Sequence, residues 1–129
     1  MVWFGFIHNA HETLPSLLPT LSACGVKLRI ISDKPYTQQD GILALEPEWE
    51  LYDPATAYHR IQEADMVLNP RSNRAFYRYK SQNKTVIGWK LGLPVAVTSE
   101  DLLRFMDPLE RNREVQEKRE VVERDYPIE

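Results

Sequence analysis

The chain has 129 residues and a mass of 15.1 kDa, the size of one domain, long enough to bury a core and too short to build two. Hydrophobic residues make up 43% and charged residues 27%, mean hydropathy is -0.46, and no apolar run nears the ~18 residues a membrane helix needs, which excludes a spanning segment. A formal net charge of -3 argues against bulk nucleic-acid affinity, and the single cysteine, Cys24, excludes an internal disulfide.

The first predicted strand runs from Val2 to Ile7, continuously apolar around Gly5, as a strand covered on both faces should be. It lacks a basic leader and a cleavage signal, so it reads as a buried strand rather than a signal peptide. His8-Asn9-Ala10-His11-Glu12 is read as a polar turn. Thr13 is a candidate cap for a helix carrying Leu14, Leu17, Leu18 and Leu21, with Gly25 as its stop. Cys24 lies in that apolar helical pattern, where a small buried thiol is the expected role and a nucleophile the lesser alternative. With no disulfide, a reducing, cytoplasmic setting fits.

Val26 to Ser32 forms the second predicted strand and Gly41 to Leu45 a short third. The acidic, aromatic stretch from Glu46 to Pro54 then leads to a helix capped by Asp53, with Pro54 at its first position and an inner stripe of Tyr58, Ile61 and Ala64. Met66 to Asn69 is the fourth strand. Ser81 caps a helix that turns Val86, Ile87 and Leu91 inward, Gly92 supplies a left-handed stop, and Pro94 forbids continuation. Pro94 to Val97 is the fifth strand, and Ser99 caps a short helix through Phe105. Asp107-Pro108 opens a last, highly charged helix to about Arg124. Its thin apolar set is Leu109, Val115 and Val122, with Glu114/Lys118 and Glu120/Arg124 as supporting pairs.

Strands alternating with helices predict an α/β chain over residues 1–129: one Rossmann-like three-layer domain, a mostly parallel sheet of about five strands, helices on both faces, and a charged C-terminal helix. Ligands of such sheets gather at the carboxyl ends of the strands. The polar groups expected there are Gly5, His8 and Asn9 after the first strand, Asp33 after the second, Asn69 and Arg71 after the fourth, and Thr98 to Glu100 after the fifth.

Between Arg71 and Lys84 lie five basic residues (Arg71, Arg74, Arg78, Lys80 and Lys84) and no acidic one. They lead into the helix expected at Ser81, whose open N-terminus favours an anion, so the segment is a candidate phosphate site. The alternative is a solvated loop whose arginines pair with Glu46, Glu48 or the last helix. Phe76, Tyr77 and Tyr79 are interleaved with the same run, the composition of a single-stranded nucleic-acid surface, a reading the acidic remainder of the chain opposes. His8 and His11 lack the converging ligands of a metal site. His8 is either a ligand-reaching group or base at the strand end, or simply exposed. Glu100 and Asp101 at a helix start have helix-dipole complementarity as their ordinary explanation.

Three segments carry a resemblance: Ala64-Asp65-Met66-Val67-Leu68-Asn69-Pro70, Tyr79-Lys80-Ser81-Gln82-Asn83-Lys84, and Leu91-Gly92-Leu93-Pro94-Val95-Ala96-Val97. In order and spacing the chain resembles the C-terminal, donor-binding domain of GT-B glycosyltransferases. Trp3-Phe4-Gly5, Trp49 and the ending from Arg119 to Tyr126 are similar to the same pattern. The resemblance implies a nucleotide-diphospho-sugar donor as ligand; the residues themselves suggest no metal or other cofactor. Lys80 and Lys84 would be the cations on the diphosphate, Ser81 and Asn83 its hydrogen-bonding partners, and the base would lie near the ends of strands two to four. The paired-glutamate motif of many retaining members is not recognisable, and only Glu100-Asp101 falls in that region. Because a GT-B enzyme works between two domains, the resemblance also implies an additional N-terminal domain or a partner subunit for the acceptor. The alternative is a non-catalytic interaction or nucleotide-sensing module of the same fold.

Overall fold

The computed structural model of the chain describes residues 1–71 and 84–126. Five strands form one sheet: β1 (Val2–Gly5), β2 (Arg29–Ser32), β3 (Glu48–Leu51), β4 (Val67–Leu68) and β5 (Val95–Ala96). Their order is β3-β2-β1-β4-β5, and every pair is parallel. The register sets Gly5 of β1 opposite Ser32 of β2, and Val2 of β1 opposite Val67 of β4. The chain therefore moves outward from β1 to β3, then crosses back to the far side of β1 for β4 and β5. Sheets of this topology receive ligands in a crevice at the reversal, here the carboxyl ends of β1 and β4, whereas cavities lined by Met1, Lys27 and Asp65 open at the opposite edge.

The helices are α1 (Ile7–Thr13), continued through a 3-10 turn (Leu14–Leu17) into α2 (Leu18–Cys24), then α3 (Ala57–Gln62), α4 (described over 84–90), α5 (Ser99–Arg104) and α6 (Pro108–Asp125). Strand alternation sorts the core into two layers. Trp3, Ile30, Leu68 and Ala96 join Ile7, Ala10, Leu14, Leu17, Leu21, Leu102 and Phe105 on the face covered by α1, α2 and α5. Val2, Phe4, Ile31, Val67 and Val95 face the other way, against Ile61 of α3 and the partly buried Ile87 and Trp89 of α4. The predicted three-layer α/β fold with a five-stranded parallel sheet is the observed one.

Glycine stops fall where the residues require them. Gly25 closes α2 at φ 61°. Gly92 follows α4 at φ 81°, its N–H donating to the Trp89 carbonyl and the Leu93 N–H to the Gly88 carbonyl, each at 3.0 Å, the paired bonds of a Schellman end. Pro108 occupies the first turn of α6, and the Asp107 side chain accepts from the Leu109 N–H.

Several local expectations are corrected. The predicted polar turn from His8 to Glu12 is helical: β1 ends at Gly5 and α1 begins at Ile7. The Asp33 carboxylate reaches back from the end of β2 to accept the Ile7 N–H at 2.8 Å, a cap supplied from 26 residues away. Thr13 stands at the N-cap position of the 3-10 turn, but its side chain makes no capping bond there, because its buried hydroxyl donates to the Asn9 carbonyl at 2.7 Å. Residues 41–45 are not a strand but lead through buried Ile42 into a 3-10 turn (Leu43–Leu45). The third strand is Glu48–Leu51, inside the acidic stretch, at an exposed sheet edge. Its carboxylates are matched by arginines, Glu48 by Arg29 at 3.3 Å and Glu50 by Arg60 at 2.7 Å. Helix α3 starts at Ala57 rather than Pro54, because Asp53 holds a turn first, its carboxylate accepting from Ala55 N–H at 3.0 Å. Tyr58 points to solvent at 52% exposure, and Ala57 with Ile61 fills the inner face.

Thr98, not Ser99, caps α5, in a reciprocal box with Asp101. On α6, Val122 is buried, but Leu109 is 74% exposed. The Glu114–Lys118 pair forms at 3.8 Å, and Arg124 hydrogen-bonds Asp125 at 2.9 Å while the Glu120 charge also favours its cation. The cap assigned to Ser81 lies outside the described residues. No helix among the described residues is long and apolar enough to cross a membrane.

Candidate functional site

At the carboxyl ends of β1 and β4, the candidate crevice of this topology, the end of β1 meets the start of α4. Lys84 opens the described part of α4, a helix packed on the α3 side of the sheet. Its side chain runs over the carboxyl end of β1, and the ammonium nitrogen stands 4.1 Å from the centroid of the Trp3 ring and 6.0 Å from that of Phe4. Trp3 is 1% exposed and belongs to the opposite core layer, so the lysine spans the top of the sheet.

Gly5 makes this approach possible. A Cβ on Gly5 would sit 2.3 Å from Lys84 Nζ and 2.8 Å from its Cε, closer than any non-bonded contact tolerates. Its φ of 140° lies in a region that residues with side chains rarely adopt. Strand end, glycine and lysine thus form one unit: the absent side chain is the space the amine occupies.

Removal from water controls the amine's chemistry. Burial pushes its pKa down from 10.5 to about 8, and among the described residues no carboxylate forms an ion pair with it. The indole face supplies electron density to the cation without neutralising it.

Neighbouring groups hold the crevice walls. Asn69, 3% exposed at the end of β4, donates from its backbone N–H to the Ala96 carbonyl at 2.8 Å and from its side-chain amide to the Thr85 hydroxyl at 2.9 Å. That bond fastens the end of β4 to the residue following Lys84. The Asp33 carboxyl is held below its usual range chiefly by the Ile7 N–H it accepts. Asn9 has a side-chain oxygen that is buried with no hydrogen-bond partner among the described residues.

The predicted site residues separate into three groups. Gly5 and Lys84 meet. Asn9 lies on α1 just beyond β1, while exposed His8 stacks with Phe6 at 6.0 Å between ring centroids. Exposed Arg71 follows buried Pro70, and exposed Glu100 sits in the first turn of α5 beside the capping Asp101. No hydrogen bond or ion pair among the described residues joins His8, Arg71 or Glu100 to Lys84. Lys80, Ser81 and Asn83 lie outside the described residues, as do Arg74 and Arg78. His11 is spent on the loop after β2, its Nε2 accepting from Thr37 N–H at 3.3 Å and its ring edge-on to Tyr36. No group of three potential metal ligands gathers among the described residues.

Sequence reasoning overlooked Phe6, which is 63% exposed just beyond the end of β1, and the Asn69–Thr85 latch. An aromatic residue placed directly after an all-apolar strand reads as more strand, so nothing marks Phe6 as the residue where the chain turns outward. No family model matches the chain, and no match is found among curated proteins or solved structures.

Proposed function

We propose that the chain is a nucleotide-diphospho-sugar binding domain, the donor half of a glycosyltransferase, which needs a second domain or partner subunit to supply the acceptor side. The observation that carries this reading is Lys84, a cation with no carboxylate partner among the described residues, held over Gly5 at the crevice where parallel sheets receive phosphorylated ligands. The resemblance of the segments around Asp65, Lys84 and Gly92 to GT-B donor domains supports the same ligand.

In this reading Lys84 meets a diphosphate oxygen, and the exposed Phe6 ring offers an apolar face near the strand end for the nucleoside. Sugar transfer needs stabilisation of charge on the departing diphosphate, a task for a positioned cation that requires no protein nucleophile. The low dielectric around Lys84 strengthens that interaction, and binding of an anion would raise the amine's proton affinity and keep it charged.

The test is thermal unfolding of the purified chain across a panel of nucleoside diphosphates and nucleotide sugars. A ligand at one hundred times its dissociation constant adds about 2.7 kcal/mol, or roughly 10 °C for a domain of this size. A shift with one nucleotide that disappears in Lys84→Met, with the fold retained, is the expected result. No shift with any member, or a shift that Lys84→Met leaves intact, would overturn the proposal.

A further inference from the structure

The lysine that faces the crevice has a property that phosphate binding does not use. We propose that Lys84, held against the Trp3 indole over Gly5, is an imine-forming lysine that accepts the aldehyde group of a small ligand at the carboxyl edge of the sheet. This goes beyond donor binding and does not depend on it.

The geometry meets three requirements of such an amine. First, the nitrogen has a fixed address: Gly5 leaves it room, and Trp3 lies 4.1 Å away. Second, among the described residues no carboxylate holds it as a permanent ammonium. The amine's contacts among them are Trp3, Phe4 and Gly5 of β1, none of them a carboxylate or a second cation. A lysine desolvated among apolar walls is one recognised route to a nucleophilic amine, and its lowered proton affinity follows from the same burial. Third, the product is matched to the site: a protonated imine is a cation, and the indole face that accommodates the ammonium accommodates it equally.

The step balances without any redox partner. The Nζ lone pair attacks the carbonyl carbon, a C–N bond forms, and the C=O π pair moves to oxygen. Proton transfer from nitrogen to oxygen gives a carbinolamine. The nitrogen lone pair then forms the C=N bond as the C–O bond breaks, the hydroxyl leaving as water with a proton taken from solvent. Amine, aldehyde and one solvent proton become protonated imine and water, and no atom changes oxidation state.

The experiment uses the full chain with pyridoxal and, separately, pyridoxal 5′-phosphate as aldehyde probes. Cyanoborohydride traps any imine as a secondary amine, and peptide mass spectrometry reads the adduct at each of the six lysines. Lys84 should be labelled at least about tenfold faster than exposed Lys27, Lys34 and Lys90, with a half-maximal rate near pH 8, and with both probes. Labelling by the phosphorylated probe alone would assign the selectivity to phosphate attraction and overturn the proposal, as would similar rates at all lysines. Gly5→Ala, which intrudes on the amine, should abolish the preference for Lys84. Retained selectivity in that folded variant would also overturn it, and if that variant does not fold, the wild-type map alone decides. No nucleotide enters the measurement, so failure of donor binding leaves the result interpretable.

Discussion

Replacing Lys84 by Met should stabilise the protein at neutral pH. The amine's pKa falls from 10.5 to about 8, a drop of about 2.5 caused by burial. At about 1.4 kcal/mol per unit, keeping it charged at pH 7 costs the folded state on the order of 3 kcal/mol. The Trp3 face, 4.1 Å away, returns about 0.5–2 kcal/mol of that. Methionine keeps most of the stem and carries no charge, so the net gain should be about 1–3 kcal/mol. The pH dependence has a definite sign. Below about pH 8 both folded and unfolded chains carry the proton, and the full penalty applies. Between about 8 and 10.5 the unfolded chain binds more protons than the folded one, so this lysine's contribution makes stability rise with pH. Urea unfolding of wild type and Lys84→Met at pH 7 and at pH 9.5 isolates the effect, because every other titration is common to both. The advantage of the variant should be largest at pH 7 and shrink at pH 9.5. A variant less stable than wild type at pH 7, or a gap that ignores pH, would refute the reasoning. Gaining stability while losing a ligand is the pattern expected where a fold carries a strained functional group.

Gly5→Ala should lose about 1–3 kcal/mol from backbone strain at φ 140°, and denaturant titration should find most of the loss still present in a Lys84→Ala background, since it resides in the backbone. Asp101→Ala removes the carboxylate that accepts from Val97 N–H at 2.9 Å and Thr98 N–H at 3.2 Å, and should cost about 1–2 kcal/mol in the same assay without altering ligand response at Lys84. The Asp33 carboxyl should titrate below 3.8 in an NMR pH series because it accepts the Ile7 N–H. Its support for the start of α1 is therefore present above that pH and lost as pH falls through its folded value, and Asp33→Asn should flatten that part of the acid limb.

Much of this architecture was legible in the order of the residues. Short apolar runs and period-3.6 stripes are local properties, so β1, β2, β4, β5 and the Leu14 to Leu21 stretch could be read directly, as could the stops at Gly25 and Gly92 and the start of α6 at Pro108. The buried cation at Lys84 belongs to a run that was also readable, five basic residues without an acid between Arg71 and Lys84. What tertiary structure decided were the features whose partners are distant in sequence. Glu48–Leu51 is a strand because Arg29 and Arg60 neutralise its carboxylates at the sheet edge, and α1 begins at Ile7 because Asp33 caps it from the next strand. Neither arginine nor aspartate announces its partner locally. The same holds for the site: sequence placed Gly5 and Lys84 79 positions apart, and only the crossover that returns the chain to the far side of β1 sets the lysine's amine in the space the glycine leaves open.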